Sequence, residues 1–221
     1  MALGTGLARH YPREMAPFSA IAEPSAAAHA DLATGLAPGM EARLFRPRNE
    51  PPPPGWETLS VRPILQMVMD EPGNVVVEGE SSIRMLGPAD AADMVALAEA
   101  TKPGPVGPRT FMLGKYIGIR DPSGVLIAMA GERFRLPGYV ELSAIAVHPA
   151  ARGRRLGSFL MQALMRDAAQ RSEVPFLHVF PDNPATAIYR RLGFRERAEV
   201  SVIWRRPTGI SSFPTPSSRT R

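Results

Sequence analysis

Residues 139–180 restrict the fold more than any other part of this 221-residue chain. The segment 139–147 has the pattern of a strand, residues 156–170 repeat apolar side chains at helical spacing, and residues 174–180 form a second strand-like run. A strand, a crossover helix and a second strand imply parallel pairing. The sequence therefore predicts an α/β fold that contains a parallel strand pair covered by a helix.

Antiparallel strands are predicted around this unit. Residues 115–120 and 125–135 flank Asp-Pro-Ser-Gly at 121–124, which carries turn residues at the expected positions, so they predict a hairpin. A short strand is predicted at 82–86 before a helix, and residues 198–204 alternate as a last strand. We therefore expect a mixed, mostly antiparallel sheet.

The first 80 residues are harder to interpret. A helix-prone segment at 26–36 is followed by strand-like alternation at 40–45, then by the prolines 51–54 and the apolar run 61–69. We expect a small N-terminal α/β lobe over residues 1–80 with a proline-rich connector. A disordered extension is the alternative.

Residues 81–206 are expected to form the second domain, and residues 207–221, which have little to bury, a flexible tail. No apolar run approaches the ~20 residues that cross a bilayer, and the first residues lack the pattern of a signal peptide. We therefore expect a cytoplasmic protein without a membrane partner.

Composition removes several kinds of chemistry. Cysteine is absent, which excludes disulfides, thiolate nucleophiles and cysteine-ligated zinc. His10, His29, His148 and His178 lie far apart, so no metal site is expected. The net charge is +5, and all cations except two lysines are arginine. These arginines are scattered and not interleaved with aromatic residues, so we expect no nucleic-acid partner.

The loop between the strand at 139–147 and the following helix points to phosphate. Free N–H groups at a helix N-terminus favour an anion, glycine allows close approach, and arginine adds charge. A basic turn that is merely solvated is the alternative. The candidate phosphate-binding residues are Arg152, Gly153, Arg154, Arg155, Leu156, Gly157 and Ser158.

This loop resembles the acetyl-coenzyme A signature of the GCN5-related N-acetyltransferase (GNAT) superfamily, a six-residue glycine-containing loop. Arg152 and Gly157 match its two ends, whereas Arg155 replaces the family's central glycine. A second likeness is the helix that carries Tyr189 and ends in Leu-Gly-Phe. Asn183 is the candidate coenzyme-binding asparagine, although it lies one residue closer to Tyr189 than in the family.

The sequence of residues 141–149 resembles that of the glycine N-acyltransferase-like branch of the superfamily. Members of this branch often have an extra N-terminal α/β region. The resemblance implies a GNAT fold in which the central parallel pair splays to hold acetyl-CoA as co-substrate. The backbone of Ile145, Ala146 and Val147 would hold the pantetheine arm and the thioester.

The resemblance also implies catalytic roles. Tyr189 would be the general acid for the departing thiolate, with a core tyrosine as the alternative. Glu141 would be the base, directly or through water, and His178 is a second candidate.

The expected reaction is direct transfer of an acetyl group to a primary amine of a small molecule, amino acid or peptide. Transfer of longer acyl groups to amino acids and a non-catalytic acyl-CoA sensor are the alternatives, and a homodimer is left open.

Overall fold

The computed structural model describes residues 2–70 and 82–208. Fourteen helices and strands follow one another along these ranges, in addition to short 3-10 turns. In chain order they are β1 (Ala8–His10), β2 (Phe18–Ile21), α1 (Ala26–Gly35), β3 (Ala42–Arg46), β4 (Trp56–Met69), β5 (Arg84–Met85), α2 (Ala91–Thr101), β6 (Tyr116–Arg120), β7 (Leu126–Leu136), β8 (Tyr139–Val147), α3 (Leu156–Gln170), β9 (Val174–Val179), α4 (Thr186–Arg191) and β10 (Phe194–Pro207).

All ten strands belong to one sheet in the order β1-β2-β3-β10-β4-β9-β8-β7-β6-β5. Only β8–β9 and β2–β3 pair in parallel within the described residues. The predicted mixed, mostly antiparallel sheet is therefore confirmed, together with the predicted hairpin and the parallel pair joined by a helix. The predicted strand at 82–86 is shorter, because only Arg84 and Met85 pair with β6.

Helices cover both faces of the central strands. The buried side chains of α3 and Tyr189 of α4 pack with Leu142 and Leu177 on one face, which we call the α3 face. On the other face, which we call the α2 face, Met94 and Leu97 of α2 pack on Ala144 and Ala146. Within the described residues, no helix combines the length and apolar character needed to cross a lipid bilayer.

The parallel strands β8 and β9 separate next to the segment that is predicted to bind the coenzyme. β8 pairs with β9 only from Tyr139 to Glu141, and Glu141 lies opposite Phe176. Three residues farther on, Ala144 and Ile145 lie together opposite Ala130 of β7, and Ala144 has a φ of +54°. This β-bulge bends the strand, which remains paired with β7. The result is an opening between β8 and β9, called the wedge below.

The N-terminal strands extend the same sheet. Helix α1 confirms the prediction at 26–36, and it packs with Leu44 of β3 and Trp56 of β4 in a separate core. Strand β10 lies between β3 and β4, so the C-terminal strand connects this region to the rest. The division at residue 80 stays a prediction, and residues 209–221 of the predicted tail lie outside the described residues.

Candidate functional site

The loop before α3 presents its backbone N–H groups to one side. After a 3-10 turn at Pro149–Ala151, Gly153 and Arg155 both adopt positive φ, at +78° and +58°. The N–H groups of residues 153–158 have no acceptor among the described residues, whereas Phe159 N–H binds the Arg155 carbonyl. Consecutive free amides beside a left-handed residue form an anion-binding concavity at a helix N-terminus.

Arginine side chains add charge to this concavity. Arg152, Arg154 and Arg155 are exposed, and none has a carboxylate partner within residues 2–70 and 82–208. Their guanidinium groups are therefore available to a ligand. Arginine binds phosphate oxygens through parallel N–H donors. The loop thus has both the backbone and the side-chain chemistry for a pyrophosphate.

The start of α3 lies directly on the end of β8. A Cβ atom added to Gly157 would lie 3.4 Å from Val147 Cγ2 and 3.5 Å from Ile145 Cγ2. Leu156, beside Gly157, also packs on the core of the α3 face. The structure therefore brings the anion-binding loop and the wedge together. Of the predicted β8 residues, Ile145 and Val147 point to the α3 face, whereas Ala146 is buried on the α2 face.

Tyr189 lies on the α3 face with these residues. Its ring is 9% exposed and makes an edge contact with Phe194, with the ring centroids 6.4 Å apart. Burial raises the pKa of the Tyr189 phenol to about 12. Its hydroxyl donates to no residue in the described part of the chain. The side chain is therefore a protonated donor at neutral pH.

Asn183 has a local structural contact. Its Oδ1 atom accepts a hydrogen bond of 2.9 Å from Ala185 N–H, and its carbonyl accepts one of 2.7 Å from the Thr186 hydroxyl. These bonds shape the turn that leads into α4. The residue is exposed, and its predicted contact with a coenzyme stays a prediction.

Glu141 is fully buried and both carboxylate oxygens are engaged. Arg133 Nε donates to Oε2 at 2.8 Å, and Arg133 Nη2 donates to Oε1 at 2.7 Å. His178 Nδ1 lies 2.7 Å from the same Oε1. Despite desolvation, which acts in the opposite direction, the charge of Arg133 and these hydrogen bonds lower the pKa of Glu141 to about 2. Glu141 is thus a carboxylate held between a guanidinium and an imidazole.

The hydrogen-bond chain continues from His178 to the surface. Gln66 Nε2 lies 3.2 Å from His178 Nε2, and Gln66 Oε1 accepts 2.6 Å from Arg197 Nη1. The Phe45 ring of β3 stacks on the imidazole with the centroids 4.6 Å apart. The structure therefore joins the predicted residues Glu141 and His178, and it adds Arg133, which sequence reasoning missed.

A second missed group is Tyr116 of β6. Its side chain is buried over Gly131, and its hydroxyl has no hydrogen-bond partner among the described residues. Burial raises its pKa, and the charges of Arg133 and Glu141 act on it in opposite directions. Only the strand register brings this tyrosine near the ion pair. The described residues contain no cluster of three or more histidine, aspartate or glutamate side chains that could hold a metal ion.

Comparisons with known proteins bear on the family and the fold. The family model described as FR47-like protein matches residues 116–203, which include the wedge and the loop. No curated protein matches the chain.

Among solved structures, an acetyltransferase assigned to the GNAT family from Novosphingobium aromaticivorans is 35% identical. The alignment covers 94% of this chain and 92% of that one, with a TM-score of 0.83. A GCN5-related N-acetyltransferase from Kribbella flavida is 18% identical over 95% of this chain and 90% of that one. Its TM-score of 0.55 supports the fold.

Proposed function

Because the chain belongs to the GNAT superfamily of acetyltransferases, we propose that it transfers an acetyl group from acetyl-CoA to a primary amine of a small molecule, amino acid or peptide. The acetyl group passes directly to the amine, without an acyl-enzyme intermediate. The observation that carries the proposal is the row of N–H groups at residues 153–158, which lie beside the wedge and have no acceptor in the part of the chain that the structure describes.

The coenzyme is bound in two parts. Arg152, with residues 153–158, binds the pyrophosphate, whose charge is compensated by amides, by the start of the helix dipole and by arginine. The pantetheine arm and the thioester lie along Ile145, Ala146 and Val147. This assignment is supported by the absence of pairing between this part of β8 and β9. A strand edge without a partner has N–H and C=O groups to offer an amide-containing arm.

Tyr189 is the general acid for the departing thiolate. Its raised pKa keeps the phenol protonated at neutral pH, so it offers a proton as negative charge develops on sulfur. It shares the α3 face with Ile145 and Val147. Glu141 and His178 lie on the opposite side of β8, where we place the acceptor amine.

The proposed choice of acceptors rests on a sequence resemblance. The likeness of residues 141–149 to glycine N-acyltransferase-like proteins makes amino acids the first amines to test. Longer acyl-CoA esters belong in the same panel, since the length of acyl chain that the wedge accepts decides between an acetyltransferase and a broader acyltransferase.

The decisive experiment measures free coenzyme A released by the purified protein from acetyl-CoA, with and without each member of an amine panel. Calorimetry with acetyl-CoA runs in parallel. Amine-dependent release supports the proposal. Tight binding without turnover on any amine would make the protein an acyl-CoA sensor, and a folded sample that binds no acyl-CoA would remove the proposal.

Two variants test the assigned roles. Tyr189→Phe is expected to lower kcat by about tenfold or more while the Kd for acetyl-CoA changes little. Tyr139→Phe, at an exposed position where β8 still pairs with β9, is its control. Arg152→Ala is expected to weaken coenzyme binding by about tenfold, the value of one charge-assisted hydrogen bond. Arg109→Ala, which removes an arginine paired with Glu14, is the matched control.

A further inference from the structure

We propose that His178 is the base that takes the proton from the acceptor amine, and that Glu141 is a positioning residue that holds the imidazole. The inference rests on the proposed acetyl transfer and assigns the proton acceptor within it. It replaces the sequence-based hypothesis in which Glu141 itself is the base.

Glu141 is poorly placed to receive a proton from a substrate. Its side chain has no exposed surface, and its two oxygens already accept three hydrogen bonds from Arg133 and His178. The pKa of about 2 also makes this carboxylate a weak proton acceptor at neutral pH. A substrate amine would have to displace Arg133 or His178 to reach it. Displacement of one partner would leave charge unpaired in the interior.

The hydrogen-bond chain fixes where His178 carries its proton. Glu141 is an ionised carboxylate and can only accept, so His178 Nδ1 is the donor across 2.7 Å. Arg197 can only donate, so the Gln66 atom that it contacts is the amide oxygen, and the Gln66 nitrogen faces His178. That nitrogen donates to Nε2 across 3.2 Å. His178 Nε2 is therefore an unprotonated acceptor already directed at an N–H group.

The imidazole lies at the mouth of the wedge. β8 and β9 stop pairing after Glu141 and Phe176, and His178 is the second residue of β9 beyond that point. Leu177 and Val179 are buried on the α3 face, so alternation along the strand places His178 on the α2 face. From β9 its ring reaches Glu141 on β8. His178 thus lies on the α2 face of the sheet, whereas Tyr189 lies on the α3 face.

The groups around His178 come from four other strands. Glu141 and Gln66 contact its two nitrogens, Phe45 stacks on the ring, and Arg133 neutralises Glu141. Gln66 occupies the position where the acceptor nitrogen would donate. An incoming ammonium therefore replaces one N–H donor by another, and the rest of the network stays in place.

The proton transfers balance as follows. The ammonium of the acceptor gives one proton to Nε2 of His178, which becomes an imidazolium paired with the Glu141 carboxylate. The nitrogen lone pair forms the C–N bond with the carbonyl carbon, and the C–S bond breaks with its electron pair on sulfur. Sulfur takes the Tyr189 proton, the second nitrogen proton returns to Tyr189 through solvent, and His178 releases its proton. One proton is released in each turnover.

The test compares steady-state kinetics and acetyl-CoA binding of the full-length protein with those of His178→Ala, His178→Gln and Glu141→Gln. The His178 variants are expected to lose about 100-fold or more in kcat, with the Kd for acetyl-CoA changed less than threefold. The acidic limb of their pH–rate profile should disappear. Added imidazoles should restore turnover in His178→Ala, and the rescue rate should increase with the basicity of the imidazole.

Glu141→Gln is expected to keep His178 in place but to remove the charge that stabilises the imidazolium. Its kcat should fall by about tenfold or more, and the acidic limb should shift toward lower pH while remaining visible. Glu132→Gln is the matched control, because Glu132 is another buried glutamate in ion pairs, with Arg135 and Arg171, but lies on the other face of the sheet. It should keep the wild-type pH–rate profile.

The outcomes separate this inference from the proposed function. If the wild type turns over and His178→Ala keeps kcat within threefold, or keeps its acidic limb, His178 is not the base and the acetyltransferase stands. If imidazoles of different basicity rescue equally, the ring has only a packing role and the inference fails. If the wild type binds no acetyl-CoA, both proposals fall together.

Discussion

Glu141 should make the stability of this protein sensitive to acid. The pKa of Glu141 is lowered from 4.5 to about 2 in the folded state by the Arg133 charge and the bonds from Arg133 and His178. One pKa unit corresponds to about 1.4 kcal/mol, so the shift contributes about 3 kcal/mol to the free energy of unfolding. Since the folded-state pKa is the lower one, this contribution is complete above the unfolded value and is lost as the pH falls from about 5 toward 2. About 2 kcal/mol should be gone at about pH 3.

Urea denaturation at several values between about pH 5 and pH 3 measures this loss. The Glu141→Gln variant should be less stable than the wild type at neutral pH, but its stability should fall by about 2 kcal/mol less over the acid range. Glu132→Gln keeps the Arg133–Glu141 pair and should retain this contribution to acid sensitivity. Parallel pH curves for the wild type and Glu141→Gln would refute the argument that Arg133 holds Glu141 ionised.

Three further predictions concern stability, each measured by the free energy of unfolding in urea. Arg155 has a φ of +58°, so Arg155→Gly should be more stable than Arg155→Ala by about 1 kcal/mol, and equal stability would show that the loop is unstrained. Tyr116→Phe removes a buried hydroxyl without a partner in the described ranges and should stabilise the protein by about 1 kcal/mol, whereas a loss would reveal a hidden partner. Leu164→Ala should cost about 3 kcal/mol, because Leu164 is completely buried on the inner face of α3, and a cost below about 1 kcal/mol would contradict that packing.

Local patterns were enough to predict the central part of the fold. The helical repeat of apolar residues in α3 and the alternation in its flanking strands are patterns among neighbouring residues, so the sequence shows them directly. Two strands joined by a crossover helix then pair in parallel. The free amides in the loop from Arg152 to Ser158 could also be expected from the sequence, because the first N–H groups of any helix lack a partner within the helix. In β4 the strand continues through Pro63, which pairs with Ser201 of β10 and has no partner on β9. The sequence indicated only residues 61–69 of this strand, and only as an apolar run.

The network around Glu141 could not be read from the sequence. Arg133 and Phe134 lie together opposite Glu141 because β7 contains a bulge, and a bulge changes which side chains meet across a ladder. Gln66 and Phe45 contact His178, and both lie more than 110 positions before it along the chain. Such pairings depend on register, which local spacing does not specify. The cytoplasmic location and the homodimer stay predictions.

The insertion of β10 between β3 and β4 also determines when the sheet can be finished. A ribosome releases β3 and β4 long before residues 194–207 exist, and until then the two facing edges have no strand between them. Open strand edges invite pairing with other chains. Nascent copies of this protein should therefore depend on dilution or chaperones until the last strand arrives, and a chain stopped shortly before Phe194 should aggregate as it emerges.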